Sequence, residues 1–125
     1  MSSRDDLAQL VSAISHPIDI VIDDGSHASH HQQIALGRLF PQVRSRGIYV
    51  IEDLHWQDEE LERKEAPKTR DILRRLQIEG TFESPFLSKE EQKYVQTNVD
   101  TLWLFDSLAT NIEDTSDALA VLLKK

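Results

Sequence analysis

The chain reads as an α/β layered domain organised around a parallel strand pair, and three observations lead there. Two apolar runs, Ile18 to Ile22 and Gly47 to Ile51, have the near-continuous hydrophobicity of strands covered on both faces, interrupted only by Asp19. Between them lies a stretch of helical periodicity, so a right-handed crossover returns the second strand parallel to the first. Each run ends in paired carboxylates, Asp23-Asp24 and Glu52-Asp53. Neighbouring strands would bring those tips within about 5 Å of each other, at the edge where open sheets bind ligands.

The remaining elements can be taken in chain order. Asp5 to Ile14 sets Leu7, Leu10, Val11 and Ile14 at helical spacing, and His16-Pro17 ends that helix because the residue before proline avoids helical angles. A second helix is predicted from His30 to Val43 with Ile34, Leu36, Leu39, Phe40 and Val43 inward, Pro41 making its last turn irregular. Gln57 to Lys68 holds eight charges in twelve residues and reads as a solvated loop or exposed helix ending at Pro67. Thr69 to Ile78 reads as a helix capped by Thr69, with Ile72, Leu73, Leu76 and Ile78 inward. Ser88 to Val99 is opened by a Ser88/Glu91 capping box. Thr101 to Phe105 and Ala118 to Leu123 are the last two strand candidates, and no repeat or linker divides the chain.

Composition narrows the function classes. A chain of 125 residues is one domain with room for a core. It has no cysteine, which excludes disulfides and thiolate metal sites. A formal charge of -8 argues against nucleic acid or an anionic membrane surface as the partner and favours a small molecule or a protein. Met1 to Val11 lacks the apolar core of a signal peptide and no run reaches the roughly 20 apolar residues of a membrane span. The expected compartment is the cytoplasm.

The carboxylate edge suggests chemistry directly. Asp23, Asp24, Glu52 and Asp53 crowded at one spot repel, and protons, solvent or a cation must relieve them. Oxygen ligands such as Asp24, Glu52 and Asp53 favour magnesium, calcium or manganese over zinc. Gly25 permits a tight turn, Ser26 is placed to cap the segment after it, and His27 emerges beside the carboxylates. An imidazole, with an ordinary pKa near 6.5, suits a general base, and a hydroxyl held on a cation is easier to deprotonate. Other readings stay open. Asp23 could simply cap the next element, and His27, His30 and His31 could share a helical face and bind zinc or nickel. His16 and His55 read as surface or turn residues, Trp103 and Phe105 as core, Trp56 as the aromatic nearest a pocket, and Asp58 to Glu65 as wet surface.

The motif Asp-Ile-Val-Ile-Asp-Asp-Gly-Ser-His from Asp19 to His27, followed by Leu39-Phe40-Pro41 and by Gly47-Ile48-Tyr49-Val50-Ile51-Glu52-Asp53-Leu54, resembles the S-adenosylmethionine-dependent O-methyltransferases of the macrocin and mycinamicin sugar type. Related sequences include cephalosporin hydroxylase-like and class I methyltransferases. Phe105-Asp106-Ser107-Leu108 and Ala118 to Leu123 sit where that family's final hairpin falls. The resemblance implies a partial Rossmann-like methyltransferase sheet, namely its last four strands with an antiparallel final hairpin, flanked by helices. It implies magnesium on Asp24, Glu52 and Asp53, removal of a sugar hydroxyl proton by His27, and S-adenosylmethionine as cofactor with Asp23 on its side of the site. His31 also falls where many relatives have histidine.

Two departures accompany it. Arg44-Ser45-Arg46-Gly47 stands where relatives show Pro-Gly-Gly. The glycines are Gly25, Gly37, Gly47 and Gly80, none forming the G-x-G cradle of a cofactor loop. Residues 1–125 are therefore expected to correspond to the carboxyl-terminal half of the fold, with the cofactor-binding first half absent. In such a sheet Ile18 to Ile22 would leave an unpaired edge, and self-association through that edge or an uncovered apolar face is expected. Three functions remain: a methyltransferase half, an inactive remnant serving self-association or a partner, and a metal-assisted hydrolase.

Overall fold

Parallel pairing of the first two strands organises the molecule. Strand β1 (Ile18–Asp23) lies beside β2 (Val43–Ile51), with Val21 opposite Tyr49, Ile22 opposite Val50 and Asp23 opposite Ile51. The computed structural model describes residues 4–54, 59–106 and 118–125. The other elements are α1 (Arg4–Ala13), α2 (Ser29–Leu39), a 3-10 turn (Phe40–Gln42), α3 (Thr69–Glu79), α4 (Lys89–Asn98), β3 (Val99–Phe105) and β4 (Leu119–Lys124). One sheet of order β1-β2-β4-β3 results, β4 being antiparallel to both neighbours. The α/β class, the parallel pair and the antiparallel last hairpin match the sequence-based expectation.

Helices cover one face of this sheet. Cross-strand partners share a face, so the register gives two helix-side rows, Val21-Tyr49-Leu122-Leu102 and Asp23-Ile51-Ala120-Leu104. Most of these residues pack with Leu36, Phe40, Ile72, Leu73, Leu76 and Val95 from α2 to α4 in the core. The opposite face carries the rows Ile20-Ile48-Leu123-Thr101 and Ile22-Val50-Val121-Trp103, with Leu119 opposite Phe105. Ile20, Ile22, Trp103 and Phe105 are exposed, because no described element packs over them. Trp103 and Phe105 are thus not core residues as expected, since the strand that holds them turns that side away from the helices.

Local details depart from the sequence reading for identifiable reasons. Helix α2 stops at Leu39, where Pro41 shifts the chain into the 3-10 turn, and Val43 already pairs with Ile18. A bulge between that pair and Ile20-Ile48 absorbs Arg44 to Gly47, with Arg46 at φ 66. Thr69 is not a cap: Lys68 occupies that position and the buried Thr69 hydroxyl donates to the Ser29 carbonyl. Ile78 faces solvent, 74% exposed. The Ser88/Glu91 capping box forms as expected, with the Glu91 N–H donating to Ser88 Oγ at 3.0 Å and the Ser88 N–H to Glu91 Oε1 at 2.8 Å. Among the described residues no helix is long and apolar enough to cross a membrane.

Candidate functional site

Both strand tips end at one level because the ladder continues past β2, the Glu52 N–H donating to the Asp23 carbonyl at 3.0 Å. Beyond that bond the chain turns sharply twice. His27 has φ 62 and Asp53 φ 55, left-handed conformations that L residues other than glycine adopt at a cost of roughly 1–2 kcal/mol. The unusual conformation after β1 falls on His27 rather than on Gly25. The result is convergence: His27 Nε2 lies 3.3 Å from Asp53 Oδ2 and 3.8 Å from Asp24 Oδ1. One ligand atom from each of Asp24, His27 and Asp53 falls within 4.8 Å of the others. Strain concentrated on residues of one cluster is a mark of a functional site.

The other two acidic residues behave differently. Glu52 lies outside that three-residue set, yet its carboxyl faces Asp24. Burial raises its pKa first, and the like charges and hydrogen bonding of Asp24, then Asp53, push it further, against the pull of His27. Asp23 points to the helix side of the sheet, where Oδ1 accepts the Gly25 N–H at 3.3 Å and closes the turn. Burial raises its pKa, and Oδ2 is enclosed without a hydrogen-bond partner in the described structure. The expected four-carboxylate cluster is therefore a group of three acidic residues and one histidine, with Asp23 set apart by the alternation of the strand.

The histidines divide as well. The His30 ring packs at a tilt against His31, with ring centroids 4.0 Å apart, and against Phe86 at 5.7 Å, and it is buried there rather than grouped with His27. Among the described residues the only candidate metal group is Asp24, His27 and Asp53, and the alternative triple-histidine site does not form. Burial lowers the pKa of both His30 and His31, favouring neutral rings; Arg63 adds to this at His30, and His30 does so at His31. His31 Nδ1 shares a hydrogen bond of 2.5 Å with Ser26 Oγ, which also accepts the Ala28 N–H at 3.4 Å. His16 is exposed, and His55 and Trp56 lie outside the described residues.

Three contacts around the site were not read from the sequence. Gln32, on α2, donates Nε2 to the Glu52 carbonyl at 3.2 Å. Glu62, inside the run assigned to wet surface, accepts the Ser29 N–H at 3.1 Å and the Ser29 hydroxyl at 2.9 Å, capping α2 from a distant loop. Its side chain is only 10% exposed and pairs with Lys68 at 3.1 Å. A single glutamate among many similar ones carries no sequence signal for this role. Gln32 and Gln33 offered a signal, as two adjacent amides just before the apolar positions Ile34, Ala35 and Leu36 must find partners if they are buried. Gln33 does so at the Pro67 carbonyl, 2.7 Å away.

The donor set suits a hard dication. The Asp24 and Asp53 carboxylates and the His27 imidazole meet at the mouth of a sheet, beside a Glu52 carboxyl whose pKa is raised by burial and then by the charges of Asp24 and Asp53, and a divalent charge relieves this grouping. The mixed sheet and its carboxylate-bearing strand tips place the molecule in the layered α/β class.

Comparison with known proteins identifies the relatives within it. No protein-family model matches the chain. It is 57% identical over 54 residues to the 8-demethyl-8-(2-methoxy-alpha-L-rhamnosyl)-tetracenomycin-C 3'-O-methyltransferase of Streptomyces olivaceus, covering 42% of this chain and 14% of that protein. Identity is 60% over 38 residues to demethylmacrocin O-methyltransferase of Streptomyces fradiae, covering 30% of this chain and 10% of the relative. The structure superposes on the MycE methyltransferase of mycinamycin biosynthesis, solved with Mg, SAH and mycinamycin VI, with a TM-score of 0.61 and 25% identity. That match covers 98% of this chain and 30% of MycE, so the chain spans less than a third of its structural neighbour. Its relatives are sugar O-methyltransferases of the macrocin and mycinamicin type, and the fold it shares with them is partial.

Proposed function

We propose that this chain carries the metal- and base-bearing part of an S-adenosylmethionine-dependent O-methyltransferase acting on a hydroxyl of a sugar or similar small molecule. The observation that supports this most is the meeting of Asp24, His27 and Asp53 at the tips of two parallel strands. In this reading Asp24, Asp53 and the adjacent Glu52 hold Mg2+, and Asp23 serves the cofactor side. The ion, when bound, makes a nearby hydroxyl more acidic, and S-adenosylmethionine supplies an electrophilic methyl group. His27 accepts the hydroxyl proton at Nε2, where the Asp53 carboxylate at 3.3 Å stabilises the imidazolium formed. Residues 1–125 correspond to the carboxyl-terminal half of the class I fold, without its glycine-rich cofactor loop, and work in the cytoplasm. Calorimetric titration of the chain with Mg2+ and with S-adenosylmethionine is the test: Mg2+ binding lost in Asp53→Asn supports the assignment, and silence with both ligands refutes it.

A second reading rests on a separate observation, the apolar rows on the sheet face away from the helices and the open edge of β1. We infer from them that the chain self-associates, burying Ile22 and Trp103 against a second copy. An inactive remnant would keep this association with no metal dependence. Concentration-dependent sedimentation that Asp53→Asn leaves intact, in a protein that binds no Mg2+, would favour it over the methyltransferase reading.

A further inference from the structure

Two consecutive residues at the start of α2 reach the two loops that form the site. His31 Nδ1 is hydrogen-bonded to Ser26 Oγ at 2.5 Å. Ser26 Oγ also accepts the Ala28 N–H at 3.4 Å, closing a short hydroxyl turn whose middle residue is His27. Next along the helix, Gln32 is almost fully buried and donates to the Glu52 carbonyl at 3.2 Å, the peptide immediately before Asp53. His27 and Asp53 are the two left-handed residues of the cluster, at φ 62 and φ 55. One clamp therefore closes on the Ser26 hydroxyl and the other on the Glu52 carbonyl, each in the residue before a strained one. Both originate from one helical turn.

That turn is itself anchored from the opposite side. Glu62 takes the Ser29 N–H and hydroxyl, Gln33 Nε2 donates to the Pro67 carbonyl, and Thr69 Oγ1 donates to the Ser29 carbonyl at 3.2 Å. Helix α2 thus cannot drift relative to the segment from Glu62 to Thr69 without breaking several partly buried hydrogen bonds. A non-glycine residue persists at positive φ only where its surroundings over-determine it. The hydrogen bonds from His31 and Gln32 are the local surroundings that meet this requirement.

We propose that His31 and Gln32 are positioning residues: acting through Ser26 and the Glu52 carbonyl, they hold His27 and Asp53 left-handed and so set the 3.3 Å spacing between imidazole and carboxylate. The relevance of that spacing to metal and base chemistry rests on the methyltransferase reading; the conformational claim does not. Freed of the clamp, His27 relaxes to negative φ and its ring swings out of the cluster. The affinity for a dication then falls because the pocket must be reassembled on binding.

Two readouts test this with the chain as it stands. Mn2+ affinity is measured by electron paramagnetic resonance at a temperature where circular dichroism shows every variant folded. Ser26→Ala, His31→Ala and Gln32→Ala should each weaken it roughly 5- to 20-fold, and the Ser26→Ala/His31→Ala double variant should bind no more weakly than its singles. His31→Asn places an amide where Nδ1 stood and should restore affinity to within about 2-fold, whereas His31→Gln, whose amide falls at the Nε2 position, should not. The second readout is the strong intraresidue amide-to-Hα Overhauser effect of His27, which marks positive φ in the metal-free chain. Its loss in Ser26→Ala and His31→Ala supports the clamp even if the wild type binds no Mn2+, a result that would count against the methyltransferase reading alone. Retention of that signal in both variants, or Mn2+ affinities equal to wild type, overturns the proposal.

Discussion

Neutralising Asp24 should make the chain more stable without metal and less stable with it. Asp24 and Asp53 hold carboxylate oxygens within 4.8 Å of each other, and Glu52 adds a third carboxyl against Asp24. Two unit charges at that separation repel by about 1 kcal/mol in a water-like dielectric and about 3 kcal/mol at an effective value of 20. The Asp24 side chain is 61% exposed, so the lower figure applies. Asp24→Asn should therefore stabilise the metal-free chain by about 1 kcal/mol, a rise in Tm of roughly 4 °C for a domain of this length. Mg2+ at about 100 times its Kd should stabilise the wild type by about 2.7 kcal/mol, near 10 °C, and the variant far less because a ligand is gone. The order of the two melting temperatures should reverse on adding Mg2+. Scanning calorimetry at low ionic strength, with NaCl matched to the Mg2+ samples, reads this directly. A variant that melts below wild type in both conditions, or equal Mg2+ shifts in both proteins, would refute the charge-crowding argument.

Gly47 is packed so tightly that a Cβ there would sit 2.6 Å from Val43 Cγ1, 2.8 Å from the Asp19 carbonyl oxygen and 2.9 Å from that of Arg44. Gly47→Ala should cost roughly 2–3 kcal/mol and about 10 °C in Tm, and a loss below about 2 °C would contradict the bulge geometry. Acidification should also weaken the fold. His30 and His31 resist protonation in the native state, chiefly through burial, whereas the unfolded chain binds those protons near pH 6.5. Their contribution is neutral above that pH and becomes destabilising as pH falls through it. Urea midpoints at pH 5.5 and 7.5 should therefore differ less in His30→Phe than in wild type; an unchanged difference would contradict this. Finally, Ile22→Lys and Trp103→Lys should shift sedimentation toward monomer without altering far-UV circular dichroism, and unchanged association would argue against the open sheet face as the contact.

Legibility in the sequence tracks the period of the apolar residues and the chemistry of the turns. The first two strands, the carboxylate tips and the Ser88/Glu91 capping box could be read because each depends on neighbours within a few residues, and the parallel relation of the strands followed from the right-handed crossover between them. Trp103 and Phe105 could not be placed correctly: alternation shows that they share a face, but not that the described helices all lie on the other one. Asp23 was grouped with Asp24, although successive residues at a strand end point to opposite sides. Gly25 was expected to permit a tight turn after the strand, whereas the left-handed residue of that turn is His27. Glu62 illustrates the same limit, since its role as a cap depends on a loop folding back across more than thirty residues.

Growing crystals in Mn2+ and recording anomalous scattering tests the central claim most directly. One strong peak within coordinating distance of Asp24, Asp53 and Glu52, about 2.0–2.4 Å from the oxygens and lost in Asp53→Asn, is the expected result. Millimolar Mn2+ leaving that cluster without a peak, or a peak held by other residues, would contradict it.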